Sequence, residues 1–427
     1  MKNLFVITSY PKRGQTHGES TMGVASYTKT TLKNLQKQLP DAHITVWADI
    51  LDQDIEEVYE EDGMTIKRVW RRADAMSLWY LYQQIQSRNV DQIVIPIDMD
   101  MFGNKIHLVL FLSLMTLLRA SGHQITSILH QVVIGNVPIR THHLKRRLLA
   151  LSKQLFYSII LAVSHDTIVF ERAFKAHLER TCMQKRLLEL GTKLHFVRKS
   201  KKTSVASHQL PTIHVIPHAV EDFRKIPDRT TARKRLRWNP KHRYILCFGF
   251  LTAQKGVDQL IQLWEPIKNT HLILAGGELP HTSRNKRYKK FVKKLRDNAQ
   301  KKGVTITGFV PEKKIATYFA ATDVAVLPYT TFRSSSGPLA MAFASETPVI
   351  FSEAIGDYFE SADFRRALAA TELTKREFVF RMSTADFQHT LARMFENVKQ
   401  AKHFSSLMHE ARRWEQVGQS YAQILTR

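Results

Sequence analysis

The chain has 427 residues, with 63 Lys and Arg against 38 Asp and Glu and a formal net charge of +25. This length suits two domains of ordinary size. Two distant cysteines, Cys182 and Cys247, exclude a disulfide framework and a paired-cysteine metal site, which indicates a reducing compartment. The charge predicts an anionic partner, either a membrane surface, nucleic acid or a phosphorylated ligand, although a generally basic surface also explains much of it.

The first half alternates strand and helix patterns, which is typical of a parallel sheet covered by helices on both faces. The predicted strands are Leu4–Ser9, His43–Asp49, Thr65–Trp70, Gln92–Ile97, Gln124–Val133, Thr167–Glu171 and Ile213–Pro217. The predicted helices are Val24–Gln38, Leu78–Ser87, Leu108–Ala120 and Leu144–Leu161. The apolar run at the N-terminus is too short for a signal peptide, because Tyr10-Pro11 ends it. The run Leu108–Leu118 is shorter than the about 20 residues of a membrane span and predicts a buried helix.

Two polar segments separate this half from the next. Leu187–His208, which includes the basic run Arg198–Lys202, is interpreted as a helix end or a solvated loop. The stretch with Pro227 and Pro240 is the best candidate for an interdomain linker.

A second alternating set follows. Its predicted strands are Tyr244–Phe248, Thr270–Ala275, Val304–Ile306, Val324–Leu327 and Pro348–Phe351. Its predicted helices are Gln259–Trp264, Tyr288–Lys301, Ile315–Ala320 and Pro338–Ser345. The fold class is therefore α/β with two doubly wound halves, and such sheets bind ligands at the carboxyl ends of their strands.

The segment Gly303–Val349 is the most informative part of the chain. Its loop Arg333-Ser334-Ser335-Ser336-Gly337-Pro338 directly precedes a predicted helix. Free N–H groups and the helix dipole make such a helix start suited to phosphate.

Several stretches in the second half resemble, in order, motifs of the family 4 glycosyltransferases. They are Ile216-Pro217-His218-Ala219-Val220, Phe248-Gly249-Phe250-Leu251 with Lys255-Gly256, Leu274-Ala275-Gly276-Gly277, Gly308-Phe309-Val310, Ala321-Thr322-Asp323-Val324 with Leu327-Pro328, and Ile355-Gly356-Asp357-Tyr358-Phe359-Glu360. The resemblance implies the GT-B fold, in which two Rossmann-like domains face a central cleft.

The N-terminal half resembles the family more loosely. Tyr10-Pro11 with Gly18 and Gly23 is similar to its first glycine-rich loop, and His130 ends a strand as the family's active-site histidine does. Trp414-Glu415 and Tyr421 resemble a helix that crosses back to the first domain. The implied organisation is an acceptor domain over 1–222, a nucleotide-sugar domain over 223–408 and a returning helix over 409–427.

The resemblance implies a set of site residues. His130 and Lys255 are the catalytic candidates; Gly249, Lys255, Ser335, Ser336, Gly337, Pro338 and Glu360 are the donor-binding candidates; Gly18 and Gly23 are the acceptor-binding candidates. A lysine supplies a point charge to a diphosphate, and Ser336 and Gly337 supply hydroxyl and backbone donors. The alternatives are a surface turn at Lys255-Gly256, a structural strand histidine at His130 and a helix-capping acid at Glu360. No clustered carboxylates predict a metal, so metal-independent chemistry without a cofactor is expected.

One departure from the family affects this site. Arg333 and Met341 stand where members carry the two glutamates of E-x7-E, and Phe250 replaces the usual arginine. The run Ser336-Gly337-Pro338-Leu339-Ala340-Met341-Ala342 resembles an S-G-x-L-x-x-A form found in some branches.

The leading hypothesis is a retaining glycosyltransferase that moves a sugar from a nucleotide sugar to a glycan or lipid-linked acceptor in cell-envelope polysaccharide or glycoconjugate synthesis. The alternative is a catalytically degenerate GT-B protein that is a partner or stabiliser of an active transferase. The basic amphipathic stretch His142–Leu161 is either an ordinary surface helix or a contact with an anionic membrane, so a cytoplasmic location with peripheral membrane contact is expected. Specific nucleic-acid binding is not expected, because aromatic residues do not interleave with the basic ones.

Overall fold

In the computed structural model, the described residues are 2–18, 21–51, 57–99, 101–134, 143–181, 212–221, 223, 225–279 and 285–426. The chain divides into two compact units. Unit 1 comprises Met1–Gly14, Val24–Pro217 and Gly418–Arg427, and unit 2 comprises Gln15–Gly23 and His218–Val417. The predicted irregular segment Leu187–His208 and Cys182 lie outside the described residues.

Unit 1 contains an eight-stranded sheet within the described ranges, in the order β3-β4-β2-β1-β5-β6-β7-β8. Its strands are β1 Asn3–Thr8, β2 His43–Asp49, β3 Glu57–Glu61, β4 Met64–Trp70, β5 Gln92–Ile97, β6 Ile125–Leu129, β7 Asp166–Val169 and β8 Thr212–Val215. Every neighbouring pair is parallel except β3 and β4. The central β1 pairs with β2 from Asn3↔His43 to Thr8↔Ala48 and is buried over Leu4 to Thr8, as a strand covered on both faces must be.

The helices of unit 1 follow from this topology. They are α1 Gly23–Gln38, α2 Ala75–Gln86, α3 Lys105–Ala120, α4 His143–Val163 and α5 Arg172–Thr181. The connections from β4 to β8 all advance in one direction across the sheet, whereas β1 to β2 runs in the other direction. Because parallel crossovers are right-handed, α2 to α5 cover one face of the sheet and α1 covers the other.

Unit 2 contains a six-stranded parallel sheet in the part of the chain that is described, in the order β11-β10-β9-β12-β13-β14. Its strands are β9 Arg243–Phe248, β10 Thr270–Ala275, β11 Thr305–Ile306, β12 Val324–Leu327, β13 Val349–Ser352 and β14 Val379–Phe380. The direction of the connections reverses between β9 and β12. Loops leave such a switch point to opposite sides, which opens a ligand crevice at the carboxyl ends of the two strands.

The α-helices of unit 2 surround this sheet. They are α6 Arg229–Leu236, α7 Val257–Leu263, α8 Lys286–Lys301, α9 Glu312–Ala321, α10 Gly337–Ala344, α11 Ala362–Thr371, α12 Lys375–Phe378, α13 Thr384–Glu396, α14 Val398–Ala411 and α15 Trp414–Leu425. Short 3₁₀ helices occupy Ala253–Lys255 and Glu353–Glu360. The C-terminal part of α15, from Gly418, belongs to unit 1.

The predicted linker is wrong, because the stretch between Pro227 and Pro240 folds into α6. Arg233 is 3% exposed and donates from Nη2 to Asp323 Oδ2 at 2.6 Å and from Nε to the carbonyl of Ala321 at 3.1 Å. Asp323 also accepts the N–H of Tyr244 at 2.8 Å. A buried ion pair therefore holds a helix of low apolar content against the sheet, and composition alone does not reveal it.

Two further elements differ from the predictions. The hairpin strand β3 was not predicted, although Asp62-Gly63 before β4 is a strong hairpin signal and both residues have positive φ. The apolar run in α3 was predicted as a buried helix, but the structure buries only one side of it. Met115 is fully buried, whereas Val109 is 60% exposed.

The units also divide the chain differently from the predicted boundaries at 222/223 and 408/409. The first division falls between Pro217 and His218. The next residues already belong to unit 2, because Val220 N–H donates to the carbonyl of Arg412 at 2.9 Å and Glu221 N–H donates to that of Ala340 at 3.4 Å. The second division falls between Val417 and Gly418.

Arg233→Met should lower the free energy of unfolding by about 3 kcal/mol, because it leaves the buried Asp323 carboxylate without its buried cationic partner. The control is Arg229→Met, since Arg229 contacts the same carboxylate but its side chain is 41% exposed. That variant should cost less than about 1 kcal/mol. Urea denaturation followed by tryptophan fluorescence checks both, and equal losses would contradict a special role of the buried pair.

Candidate functional site

The loops that follow β9 and β10 approach each other closely at the switch point. Gly249 directly follows β9 and has a φ of +117°, a conformation that only glycine adopts readily. Gly276 directly follows β10, and a Cβ there would collide with the carbonyl oxygen of Gly249. The two glycines therefore let the backbones meet at the carboxyl edge of the sheet.

Lys255 is aimed at this meeting point. It is the last residue of the 3₁₀ turn Ala253–Lys255. Thr252 caps this turn, and its side-chain hydroxyl accepts the N–H of Lys255 at 3.3 Å. A Cβ on Gly249 would collide with the Lys255 ammonium group. The Nζ atom also lies 5.7 Å from the ring centroid of Tyr329. The side chain thus bends back over the end of β9.

Gly256 makes this bend feasible. Its φ of +66° is left-handed, and a Cβ at this position would collide with the carbonyl oxygen of Pro328, the residue after β12. The turn that carries Lys255 is therefore pressed directly against the neighbouring strand end.

Among the described residues, Lys255 has no counter-ion. Desolvation lowers the pKa of its ammonium group from 10.5 to about 8, and the nearby Cys247 thiol opposes this shift. Burial raises the pKa of Cys247 to about 12, so this thiol stays neutral. No carboxylate in the described ranges pairs with Lys255 or contributes to its shift. A desolvated cation in such surroundings is suited to an anionic ligand.

A helix start lies beside the same glycine. Ser336 caps α10 and is 5% exposed, with its Oγ accepting the N–H of Leu339 at 3.2 Å and lying 2.8 Å from the Tyr329 hydroxyl. The N–H of Ser336 donates to the hydroxyl of Tyr358 at 3.0 Å. The hydroxyl and N–H of Ser336, predicted as ligand donors, are thus engaged within the protein.

Gly337 keeps a free donor in the first turn of α10. Its N–H has no acceptor among the described residues, and a Cβ at this position would find no atom within 4 Å. The next residue, Pro338, has no N–H, and its Cγ lies 3.6 Å from the place of a Cβ on Gly249. The Lys255 ammonium group and the Pro338 ring therefore both lie beside Gly249, and the N–H of Gly337 belongs to the residue just before that ring.

Two other predicted donor-binding residues contribute less directly. Ser335 immediately precedes the cap of α10. Glu360 is exposed at the end of the 3₁₀ helix Glu353–Glu360, and its carbonyl accepts a hydrogen bond from Arg365 at 2.8 Å. From this segment it is Tyr358, two residues earlier, that contacts the cap of α10.

His130 lies in unit 1, directly after β6, as the strand pattern predicted. It is 8% exposed, and its ring packs edge-on against Tyr27 at 5.5 Å and Phe170 at 5.0 Å between centroids. Its placement at a strand's carboxyl end fits a site residue, and its aromatic surroundings fit a structural one. Its catalytic role stays a prediction.

The loop with Gly18 and Gly23 belongs to unit 2. Glu312 accepts the N–H groups of Thr16 at 3.0 Å and His17 at 2.8 Å. Burial opposes protonation of His17, but the carboxylate of Glu221, 3.1 Å from its Nε2, raises the His17 pKa. Gly18 forms a tight turn with Thr21 at 3.1 Å, and nothing lies within 4 Å of a Cβ placed on Gly23.

Of the two positions that depart from the resembled family, one is buried and the other is half-buried. Met341 is 6% exposed within α10. Arg333 is half-buried, and its Nε atom has no hydrogen-bond partner in the described part of the chain.

Sequence reasoning missed Tyr329 and Tyr358, whose hydroxyls fix the cap of α10. Tyr329 follows the predicted strand end Leu327-Pro328, and Tyr358 lies inside a motif that was quoted for its glutamate. A polar aromatic directly after a buried strand was the available signal for Tyr329.

No group of three or more His, Cys, Asp or Glu that could hold a metal ion occurs among the described residues. Over the same ranges, no helix has the length and apolar character to cross a membrane.

Gly256→Ala should lower the free energy of unfolding by more than about 3 kcal/mol, because it adds a backbone collision to left-handed strain. Gly303→Ala is a matched control, since its φ is +65° and nothing lies within 4 Å of its Cβ. The control should cost about 1–2 kcal/mol. Equal losses in chemical denaturation would show that the contact with Pro328 is unimportant.

Comparison with known proteins fits this geometry. Residues 242–379 match the family described as Glycosyl transferases group 1. Comparison with the curated proteins gave no sequence match. The fold is similar to sucrose-phosphate synthase from Thermosynechococcus elongatus, with 16% identity, a TM-score of 0.72 and coverage of 100% of this chain and 98% of the other.

Two further solved structures show the same fold. Anabaena HepE in complex with UDP and glucose has 14% identity and a TM-score of 0.61, with 100% of each chain covered. The UDP-forming alpha,alpha-trehalose-phosphate synthase from Burkholderia vietnamiensis has 12% identity and a TM-score of 0.64, also with 100% of each chain covered. The chain has the GT-B fold with two Rossmann-like domains.

Proposed function

We propose that this chain is a glycosyltransferase that takes its sugar from a nucleoside diphosphate sugar and holds the diphosphate at the switch point of unit 2. The observation that carries the proposal is the desolvated Lys255 ammonium group beside Gly249, which has no counter-ion among the described residues. The N–H of Gly337 at the start of α10 would add a second donor for the same anion. HepE, a structure with the same fold, was solved with UDP-glucose.

The chemistry of such a transfer defines what these groups do. The bond between the anomeric carbon and the phosphate oxygen breaks, and the nucleoside diphosphate leaves with its bonding electrons. An acceptor hydroxyl forms the new glycosidic bond and loses its proton. Lys255 and the N–H of Gly337 would stabilise the charge that develops on the leaving oxygens, in a site from which burial excludes much of the water. Retention of anomeric configuration and the catalytic role of His130 are proposed from the family resemblance.

The acceptor is proposed to be a glycan or a lipid-linked sugar in cell-envelope polysaccharide or glycoconjugate synthesis. The support is the net charge of +25, which favours a chain working beside anionic material at the inner face of a membrane. Gly18 and Gly23 remain the proposed acceptor contacts. The chemistry needs neither metal nor cofactor, since the two donors above supply the charge stabilisation.

A second candidate function is a GT-B protein that has lost turnover and stabilises an active transferase. The observation that favours it is the pair Arg333 and Met341, which leaves no carboxylate at either position of the resembled E-x7-E motif. Donor binding with no hydrolysis or transfer in the purified protein would select this candidate.

Lys255→Gln should weaken binding of the preferred nucleoside diphosphate by about 10- to 100-fold, because it removes a charge-assisted contact. Isothermal titration with UDP, GDP and ADP measures this, and donor turnover is followed in parallel. The control is Lys289→Gln, which removes an exposed charge from α8 in the same unit and should change affinity less than about twofold. Folded protein that binds none of the three nucleotides would overturn the proposal.

The affinity should also depend on pH with a defined sign. The lowered pKa means that the free protein loses the Lys255 charge above about pH 8. Nucleoside diphosphate affinity should therefore be flat at neutral pH and fall by up to about tenfold per pH unit above pH 8, until the higher pKa of the bound state is reached. Lys255→Gln should lack this dependence, and a wild-type affinity that is constant to about pH 10 would contradict the assignment.

A further inference from the structure

One helix of unit 1 exposes an apolar face. Along α3, Ile106 is 68% exposed and Val109 is 60% exposed, and Leu110 and Leu117 are exposed as well. The last three of these residues lie three, four and eleven positions after Ile106, which places all four on one side of the helix. The opposite side is buried through residues such as Met115. The outward side of α3 thus carries four large apolar side chains, although Ser113 and Thr116 are exposed as well.

The two neighbouring helices continue this face. On α2 the exposed apolar residues are Met76, Trp79 and Tyr80, and on α4 they are Leu148, Leu151 and Leu155. Both sets again follow helical spacing. These six residues and the four of α3 are called here the apolar face. Exposed apolar side chains are usually scattered, so a contiguous set on adjacent helices indicates an interaction surface.

The fold makes the three sets contiguous. Right-handed crossovers place α2, α3 and α4 side by side on one face of the sheet. The end of α2 is tied to the end of α3, because the Tyr82 hydroxyl lies 3.1 Å from Ser121 Oγ and Gln86 Nε2 lies 3.2 Å from His123 Nε2. Because each helix starts at the carboxyl end of a strand, most of the apolar face lies toward that edge of the sheet.

The helices that carry the apolar face have charges of one sign. The sequences of α2, α3 and α4 contain no Asp or Glu, whereas α3 and α4 carry lysines and arginines. The acidic Asp74 lies just outside α2, where it caps the helix and accepts the N–H of Met76 at 3.0 Å. Lys105 at the start of α3 and Arg147 in α4 are both exposed. A protein interface usually carries charges of both signs at its rim, whereas an apolar face on helices whose own charges are all basic complements an anionic lipid surface.

We propose that the apolar face docks unit 1 onto an anionic lipid membrane, with α2, α3 and α4 lying in the plane of its surface. The exposed apolar side chains enter the region between headgroups and acyl chains, and Lys105 and Arg147 pair with lipid phosphates. Trp79 and Tyr80 combine an apolar ring with a polar atom and suit this boundary. The inference goes beyond sugar transfer, since docking needs no nucleotide.

The test measures binding of the full chain, without nucleotide, to vesicles of phosphatidylcholine alone or with about one third phosphatidylglycerol. Wild-type protein should cosediment with the anionic vesicles and much less with the neutral ones, and high salt should weaken the binding. Ile106→Ser with Val109→Ser should lower the partition coefficient at least about tenfold. The matched control is Val58→Ser with Ile267→Ser, whose side chains are 64% and 39% exposed away from the apolar face; it should change binding less than about twofold.

A spectroscopic readout locates the contact. Trp79 is 51% exposed, so its emission should shift to the blue on anionic vesicles, and the shift should disappear in Trp79→Phe. Failure of the wild-type chain to bind anionic vesicles would overturn the proposal, as would equal losses in the two double variants. A concentration-dependent dimer that only Ile106→Ser with Val109→Ser abolishes would instead identify a second copy of the chain as the occupant. Nucleotide titration of the same variants shows separately whether the donor site is intact.

Discussion

The packing at the switch point of unit 2 depends on one desolvated ammonium group, that of Lys255. Lys255 loses hydration there without gaining a carboxylate from the described residues, and desolvation lowers the pKa of its ammonium group. This costs folding free energy that must be offset by the packing around it. Gly249, Gly256 and Gly276 permit that packing, because a side chain at any of them would strike Lys255 or a backbone carbonyl. The site therefore lowers the stability of the folded protein, which is a common property of binding sites.

The helix start beside Lys255 depends on a second set of contacts. The hydroxyls of Tyr329 and Tyr358 hold Ser336 from two sides and fix the first turn of α10. With the cap satisfied internally, the N–H of Gly337 has no acceptor among the described residues. A phosphate would thus meet a fixed dipole and a fixed charge, so little reorganisation is needed on binding.

The sequence was sufficient for the parts of this arrangement that local chemistry determines. The bounds of β5, β10 and β12 were predicted to the residue, because buried parallel strands are continuous apolar runs. Glycine and motif order drew attention to Gly249 and Lys255, which lie together after β9; their role in binding stays a prediction. The helix α6 was not, because its stability depends on the distant Asp323, which no local pattern reveals. Tyr358 was missed for the same reason, since its partner Ser336 lies 22 residues away. The apolar face was partly visible as the run in α3, but only the topology shows that α2 and α4 extend it.

Direct titration of the Lys255 side chain tests the central claim most closely. Nuclear magnetic resonance of selectively labelled lysines, assigned with Lys255→Gln, would give its pKa with and without nucleoside diphosphate. The free protein should show a value of about 8, and the bound state should show a higher one because the diphosphate favours the charged form. A value near 10.5 in the free protein, or no change on adding nucleotide, would contradict an enclosed ammonium group that holds the diphosphate.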